Sequence, residues 1–291
     1  MRKTGEKIKE AVRKRYTEAI EAAPSNDRGC CGKNCCGGTA TLERGLLEGR
    51  VVTGAGYGQD ELQSIPTDAI ENSFGCGNPL AFAEISKGQL VVDIGSGAGI
   101  DCLLAARKVG STGRVIGIDM TPVMIEKARE NARRGGVDNV EFRIGDAESM
   151  PVGDGAADWV ISNCVINLSP DKPQVFREAF RVLKPGGRLS ITDIMVEALP
   201  WVLRKSANLY TSCVAGAISE KQYLQGLQDA GFSDVKVTER IVYDRGQILA
   251  LIRETRPFGR LTSLLKRPLF AWADRTVVGK VWSAKVTARK S

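Results

Sequence analysis

Eight cysteines and no histidine are the first chemical facts of this 291-residue chain. Without imidazole the side chain most often used as a general base near neutral pH is missing, and histidine metal sites are excluded. Chemistry must therefore run on sulfur, carboxylates or phenols. Four of the thiols crowd into one stretch, Cys30-Cys31-Gly-Lys-Asn-Cys35-Cys36, and four stand far apart: Cys76 in NSFGCGNPL, Cys102 in GIDCLLAARK, Cys164 in SNCVINL and Cys213 in YTSCVAGAIS. A cluster of paired thiols can relay electrons through disulfides, capture a soft ion, or bind a structural zinc through four thiolates, although adjacent cysteines fit zinc spacing poorly. Cys102, inside the apolar run of a predicted helix, reads as a small buried residue.

A second group of candidates lies at Asp93-Ile-Gly95-Ser96-Gly97-Ala-Gly99, just after an apolar run and at the opening of a helix. Glycines there let the backbone approach a bound cofactor closely. The place is where an open parallel sheet binds ligands. Asp119 ends the next apolar run and Gly145-Asp146 the one after it. A carboxylate at the tip of a second strand suits the two hydroxyls of a ribose. Asp93, two residues before the first glycine, could meet an ammonium group. The spacing Gly-x-Gly-x-Gly differs from the Gly-x-Gly-x-x-Gly of pyrophosphate-binding loops.

The elements that must position these residues follow from periodicity. From Gln89 onward short apolar runs alternate with helical segments: LVVDI then 99–109, RVIGID then 122–135, VEFRIG, DWVISN then 171–183, and RLSITDI. Strands separated by helices of that length mean βαβ units, a parallel sheet and right-handed crossovers. Residues 199–217 and 219–230 read as helices, with Gly231 as a stop. VKVTERIVY and QILALIRE, joined by Asp244-Arg245-Gly246, read as a closing antiparallel hairpin. The expected fold class is α/β, a doubly wound, mostly parallel sheet with a C-terminal antiparallel hairpin. Before it, residues 4–23 carry Ile8, Val12, Tyr16 and Ile20 at helical spacing, an amphipathic helix, and 24–70 read as loop-rich. The division is thus 1–70, a helix and Cys-rich segment; 71–255, the main domain with an insertion about 196–218; and 256–291, an extension.

The motifs of residues 89–195, including LKPGGRL before the fifth strand, together resemble the class I S-adenosylmethionine-dependent methyltransferases. That resemblance implies a Rossmann-like fold in which Asp93, Gly95, Ser96, Gly97 and Gly99 hold the methionine end of the cofactor and Asp119 binds its ribose. Met120 should pack beside the adenine, Asp146 and Ala147 should contact its edge, and Asn163, ending the fourth strand, should face the cofactor near the sulfonium. The segments around Cys76, Cys164 and Cys213 further resemble the arsenite methyltransferase family, over about 57–220. Carried over residue by residue, those three cysteines become ligands of trivalent arsenic. As(III) is soft and thiophilic, so thiolates are its natural ligands, and three of them leave a lone pair free for the methyl group. No base is then needed, which fits a chain without histidine. An oxygen- or nitrogen-directed reaction would want a proton acceptor, for which Asp193 and Glu197 are the candidates.

The resemblance also implies that protein thiols supply electrons by forming a disulfide, later reduced by thioredoxin or glutathione, with Cys30, Cys31, Cys35 and Cys36 a possible relay. The arsenic is expected as As(III) or its glutathione complex. Two rival functions remain open at this point: a carbon methyltransferase acting on a quinone or sterol-like lipid, and a thiol-based metalloid-binding protein without turnover.

Composition bounds the rest. Apolar residues at 43% and charged residues at 26% are ordinary for a globular chain and exclude wholesale disorder. The net charge of +7 is uneven, because residues 256–291 hold nine Lys/Arg against one acid, Asp274. Phe258, Leu264, Leu265, Phe270, Trp272 and Trp282 interleave with those charges, as in helices lying on an anionic membrane. Membrane-surface contact by the extension is thus one expectation and a tail packed on the body the other; no motif indicates sequence-specific nucleic-acid binding. The first residues, MRKTGEKIKE, lack the apolar run of a signal peptide, so a soluble cytoplasmic protein with mostly reduced thiols is expected.

Overall fold

The computed structural model describes residues 2–21, 57–63, 65–81, 83–197, 213–248 and 277–291. The expected relay cysteines, Cys30, Cys31, Cys35 and Cys36, the predicted helix over 199–217 except its last residues, and Phe258, Leu264, Leu265, Phe270 and Trp272 lie outside the described residues.

Five parallel strands, with helices in three of the four crossovers between them, build the body. Strands β1 (Leu90–Ile94), β2 (Arg114–Asp119), β3 (Val140–Ile144) and β4 (Ala157–Asn163) are parallel, and β5 (Leu183–Val196) runs parallel beside β4. The crossovers carry helices that match the periodic segments: Ile100–Val109, Pro122–Arg134 and Lys172–Val182. Two short helices, Gln59–Gln63 and Thr67–Glu71, occur in the stretch read as loop-rich. In chain order the helices are therefore α1 (Arg2–Glu21), α2 (Gln59–Gln63), α3 (Thr67–Glu71), α4 (Ile100–Val109), α5 (Pro122–Arg134), α6 (Lys172–Val182) and α7 (Glu220–Asp229). Val91, Val92 and Ile94 of β1 are fully buried, as are Leu103, Ala105 and Val109 of α4, so both faces of the central strand are covered. Each fully buried Val or Leu side chain contributes about 1.5–3 kcal/mol.

The seven-stranded sheet has the order β3-β2-β1-β4-β5-β7-β6, where β6 is Phe232–Val242 and β7 is Val281–Lys290, both antiparallel to their neighbours. The order reverses between β1 and β4. Loops leaving the carboxyl ends of these two strands diverge and open a crevice there.

The antiparallel closure differs from the expected hairpin. Residues 245–248 form a helical turn rather than a strand, and the Asp244 carboxylate accepts the Gln247 N–H at 2.9 Å, as an N-cap does. The partner of β6 is instead β7, from the end of the chain, which inserts between β5 and β6. Residues 281–290 are therefore no peripheral tail. Their basic character misled because the charges are spent internally. Lys290 donates to the carbonyls of Phe180 and Leu183, both at 2.7 Å, at the C-terminal end of α6, where a cation also meets the helix dipole. Lys285 is buried and pairs with Glu239 at 3.4 Å. Trp282, offered above as a membrane-facing residue, packs against the main core. Among the described residues, no helix is long and apolar enough to cross a membrane.

Candidate functional site

At the carboxyl ends of β1 and β4 lies a cleft whose empty space, counted together with the open solvent at its mouth, is about 940 Å³. Its floor is the loop from Ile94 to Ala98. Gly97, with φ +51°, has nothing within 4 Å of where a Cβ would sit, so its backbone faces open cleft. Ser96 and Asp119 also line it, and Ser96 Oγ is buried without a partner among the described residues. Asp119 accepts the Gly97 N–H at 3.0 Å and the Thr121 N–H at 2.8 Å, which locks loop and strand end together. Burial raises its carboxyl despite those bonds.

The acid that forms the wall beside the glycines is Asp101, in the first turn of α4; Asp93 lies behind it, only 1% exposed, and takes a hydrogen bond from the Cys102 thiol at 3.2 Å. Burial, then the neighbouring Asp101, pushes Asp93 well above the usual carboxylate range. Burial pushes Asp101 up to about 6. A buried acid on the cleft wall, with a second buried acid behind it, favours a cationic ligand group there. Sequence reasoning missed Asp101, because an acid in a helix's first turn reads as a dipole complement. The available signal was its place in an otherwise apolar segment, IDCLLAA.

Of the other expected cofactor contacts, Gly95, Met120, Ala147 and Asn163 line the cleft. Gly99 caps α4 with φ +95° and packs toward Phe142, away from the lining. Asp146 does not line the cleft: its side chain is 43% exposed and pairs with Lys9 at 3.5 Å. Lys9 belongs to α1, which the sequence marked only as amphipathic. Lys9 also meets Glu148 at 2.7 Å, Val12 is buried, and the Tyr16 ring stands edge-on to Phe74 with centroids 5.1 Å apart. The apolar face of α1 thus roofs the cleft.

The three dispersed cysteines meet at the edge of this space. Cys76 and Cys164 are joined by a disulfide, with Cα atoms 5.7 Å apart. The Cys213 thiol donates to the Cys164 carbonyl at 2.7 Å and is hydrogen-bonded to the Tyr16 hydroxyl. Cys164 lines the cleft itself, while Cys76 and Cys213 stand behind it in the same apolar cluster as Val12. Cys102 is free and buried at a distance, in the core under α4. Cys164 and Cys213 have φ of 60° and 63°, the left-handed region that non-glycine residues enter at a cost of about 1–3 kcal/mol. Burial raises the Cys213 thiol well above its ordinary value, and Asp193 adds to the rise. A Cys213 thiol kept neutral in the free protein can surrender its proton to a ligand that replaces it.

Asp193 is wholly buried beneath the sulfurs, with a carboxylate oxygen within 4.8 Å of Sγ of Cys76 and Cys164. Asn167 and Tyr223 donate to it at 2.8 and 3.3 Å. Burial pushes its carboxyl up to about 7. Glu197 is exposed. Because the folded carboxyls of Asp193 and Asp101 lie above the unfolded value near 3.9, the folded protein holds protons that the unfolded chain has lost. This contribution to stability is complete below about pH 4 and disappears as pH rises through about 6 and 7. The ligand-free, reduced protein should therefore melt lower at pH 8 than at pH 5.5, and Asp193→Asn should flatten that slope, as read by calorimetry.

The loop bearing Cys76 is fastened by one side chain. Asn163 Oδ1 accepts the N–H groups of Cys76 at 2.9 Å and Gly77 at 3.3 Å, and its Nδ2 donates to the Gly77 carbonyl at 2.6 Å. The flanking glycines permit this approach: a Cβ on Gly75 would lie 2.2 Å from Asn163, and one on Gly77 2.3 Å from Thr192. On the other side Ser283 of β7 donates to the Cys76 carbonyl at 3.0 Å. The final strand thus holds the site as well as the sheet.

Comparison with known proteins gives the arrangement its family. A profile described as a methyltransferase domain matches residues 85–231. The chain is 40% identical over 243 residues to the arsenite methyltransferase of Halobacterium salinarum, covering 81% of this chain and 60% of that protein. The human arsenite methyltransferase is 36% identical over 184 residues, covering 60% of this chain and 48% of that one. The chain thus spans about half to three fifths of these curated relatives. Among solved structures, an arsenic(III) S-adenosylmethionine methyltransferase from Chlamydomonas reinhardtii superposes with a TM-score of 0.61 at 32% identity, covering 80% of this chain and 72% of that one. With its doubly wound sheet, its glycine loop and these relatives, the chain belongs to the arsenite methyltransferase family of S-adenosylmethionine-dependent methyltransferases.

Proposed function

We propose that this chain moves the methyl group of S-adenosylmethionine to trivalent arsenic held by Cys76, Cys164 and Cys213, giving methylated arsenicals. The observation that carries the reading is the meeting of those three residues at the rim of the cleft, from segments 88 and 49 residues apart in sequence. When bound, the cofactor supplies an electrophilic methyl on a sulfonium. The cleft fits it by its donor set. Asp101, backed by the buried Asp93, would take the ammonium, the open backbone at Gly97 and the unpartnered Ser96 hydroxyl its methionine end, and Asp119 the ribose. Met120 and Ala147 would contact the base.

The protein's own contribution is placement and exclusion of water. Three thiolates replace the oxygens of arsenite, and each leaving hydroxide carries away a thiol proton as water. The sulfurs then hold the arsenic lone pair toward the cleft through Cys164, the one of the three that lines it. Holding two reactants in register is worth about 7–11 kcal/mol of barrier in favourable cases. Helix α1 keeps solvent out, with Tyr16 on Cys213 and Val12 over the cleft.

Methylation leaves pentavalent arsenic, whose return to the trivalent state takes two electrons. Two cysteine thiolates can give them by forming one disulfide, and the Cys76–Cys164 bond is the oxidised form such a step would leave. Thioredoxin or glutathione would reduce it in turn, and a cytoplasmic location would keep that reductant at hand. The Cys30 to Cys36 cluster remains a candidate relay.

The test is incubation of pure, pre-reduced protein with isotopically labelled S-adenosylmethionine, arsenite and a thiol reductant, followed by arsenic speciation. Labelled methylarsenicals are expected. Bound arsenic with no methylated product would assign the chain to sequestration instead, and no bound arsenic would end the reading.

A further inference from the structure

Asn163 makes more bonds than the Cys76 loop needs. Its Nδ2 also points at the Tyr57 hydroxyl, 3.1 Å away, and at Asp101 Oδ2, 3.1 Å away, while Tyr57 donates to the other oxygen of Asp101 at 2.8 Å. One carboxylate on the cleft wall is therefore connected, through one amide, to the backbone that carries Cys76. We propose that Tyr57, Asp101 and Asn163 form a link through which an occupied cofactor cleft stiffens the Cys76 loop, so that cofactor and trivalent arsenic bind with positive cooperativity. The inference rests on the functional reading given above and adds a coupling to it.

The physical chain is short. A cationic group in the cleft completes the ionisation of Asp101, whose pKa burial has raised, and pins the carboxylate in place between Tyr57 and Asn163. Hydrogen bonds to an ionised acceptor are roughly twice as strong as neutral ones, so both Tyr57 and the Asn163 amide are drawn tighter. The amide has two orientations, and only the one with Nδ2 toward Asp101 leaves Oδ1 for the N–H groups of Cys76 and Gly77. Fixing that orientation removes alternatives that the Cys76 loop would otherwise sample. A thiol already held in place then loses less freedom on binding arsenic.

Thermodynamic linkage makes the effect reciprocal and measurable without turnover. The experiment is equilibrium dialysis of the reduced full-length chain with arsenite alone, with and without saturating S-adenosylhomocysteine, which carries the same ammonium group and no transferable methyl. For the wild type, arsenite binding should tighten by about fivefold or more, the lower end of ordinary couplings, and S-adenosylhomocysteine should gain the same factor from arsenite. Tyr57→Phe keeps the ring and removes the hydroxyl. It should bind each ligand alone within about threefold of wild type and show a coupling factor below about two. Asn163→Ser, which removes the amide, serves as the second variant and should also lose the coupling. A wild-type factor of one, or a wild-type factor retained in both variants, overturns the link while leaving the methyltransferase reading intact. Failure of the wild type to bind arsenite at all overturns that reading, and the link with it.

Discussion

Replacing Cys164 with serine should lower the formation of methylarsenicals by at least about a hundredfold, a loss of roughly 3 kcal/mol or more of transition-state stabilisation. A hydroxyl is a hard donor with a high pKa, so a soft metalloid gains little from it. The loss should also exceed one bond's worth. Cys164 lies on the cleft wall, its carbonyl holds the Cys213 thiol at 2.7 Å, and its sulfur is the partner of Cys76. S-adenosylhomocysteine binding should stay within about twofold, because the cofactor groups of the cleft are carboxylates and backbone on β1, β2 and α4. Cys76→Ser and Cys213→Ser should behave alike. Near-normal methylation by Cys164→Ser would remove it from the ligand set and favour a carbon acceptor.

Deleting residues 281–291 should leave no folded domain. A peripheral basic tail could be cut with a change of about 0.5 kcal/mol or less, as for most surface alterations. β7 is different: it pairs with β5 from Arg188↔Arg289 to Val196↔Val281 and with β6 on its other edge. Val281, Val286, Ala284 and Ala288 are buried in it. The two valines alone contribute about 3–6 kcal/mol, against a total of about 5–15 kcal/mol for a domain. Circular dichroism and thermal melting check this. A truncated chain that melts within a few degrees of the intact one would contradict the placement of β7.

The sheet's parallel half was legible because its central strands are short apolar runs buried on both faces, and helices of predictable length separate β1 from β2, β2 from β3 and β4 from β5. That pattern alone brings Cys164 and the glycine loop to one edge, since β1 and β4 are neighbours. The antiparallel half was not legible. Lysines at 285 and 290 look like surface charge in a sequence, yet each buries its stem and ends on a partner supplied by distant residues. Asp244-Arg245-Gly246 looked like a hairpin turn, but the Asp244 side chain can cap a helical turn just as readily. In the site, residue type pointed to the cysteines, whereas Asp101, Tyr57, Lys9 and Tyr16 carried no motif. Their roles arise from long-range contacts. Asn163 was expected at the cofactor; it lines the cleft, but its amide is engaged with the Cys76 loop.

Everything functional rests on three sulfurs being able to surround one arsenic atom beside the glycine loop. X-ray absorption at the arsenic edge, on reduced protein loaded with one equivalent of arsenite, tests that directly. Three sulfur neighbours and no oxygen are predicted, falling to two sulfurs and an oxygen in Cys213→Ser. An arsenic environment dominated by oxygen, or one unchanged when Cys76, Cys164 and Cys213 are each replaced, would contradict the account.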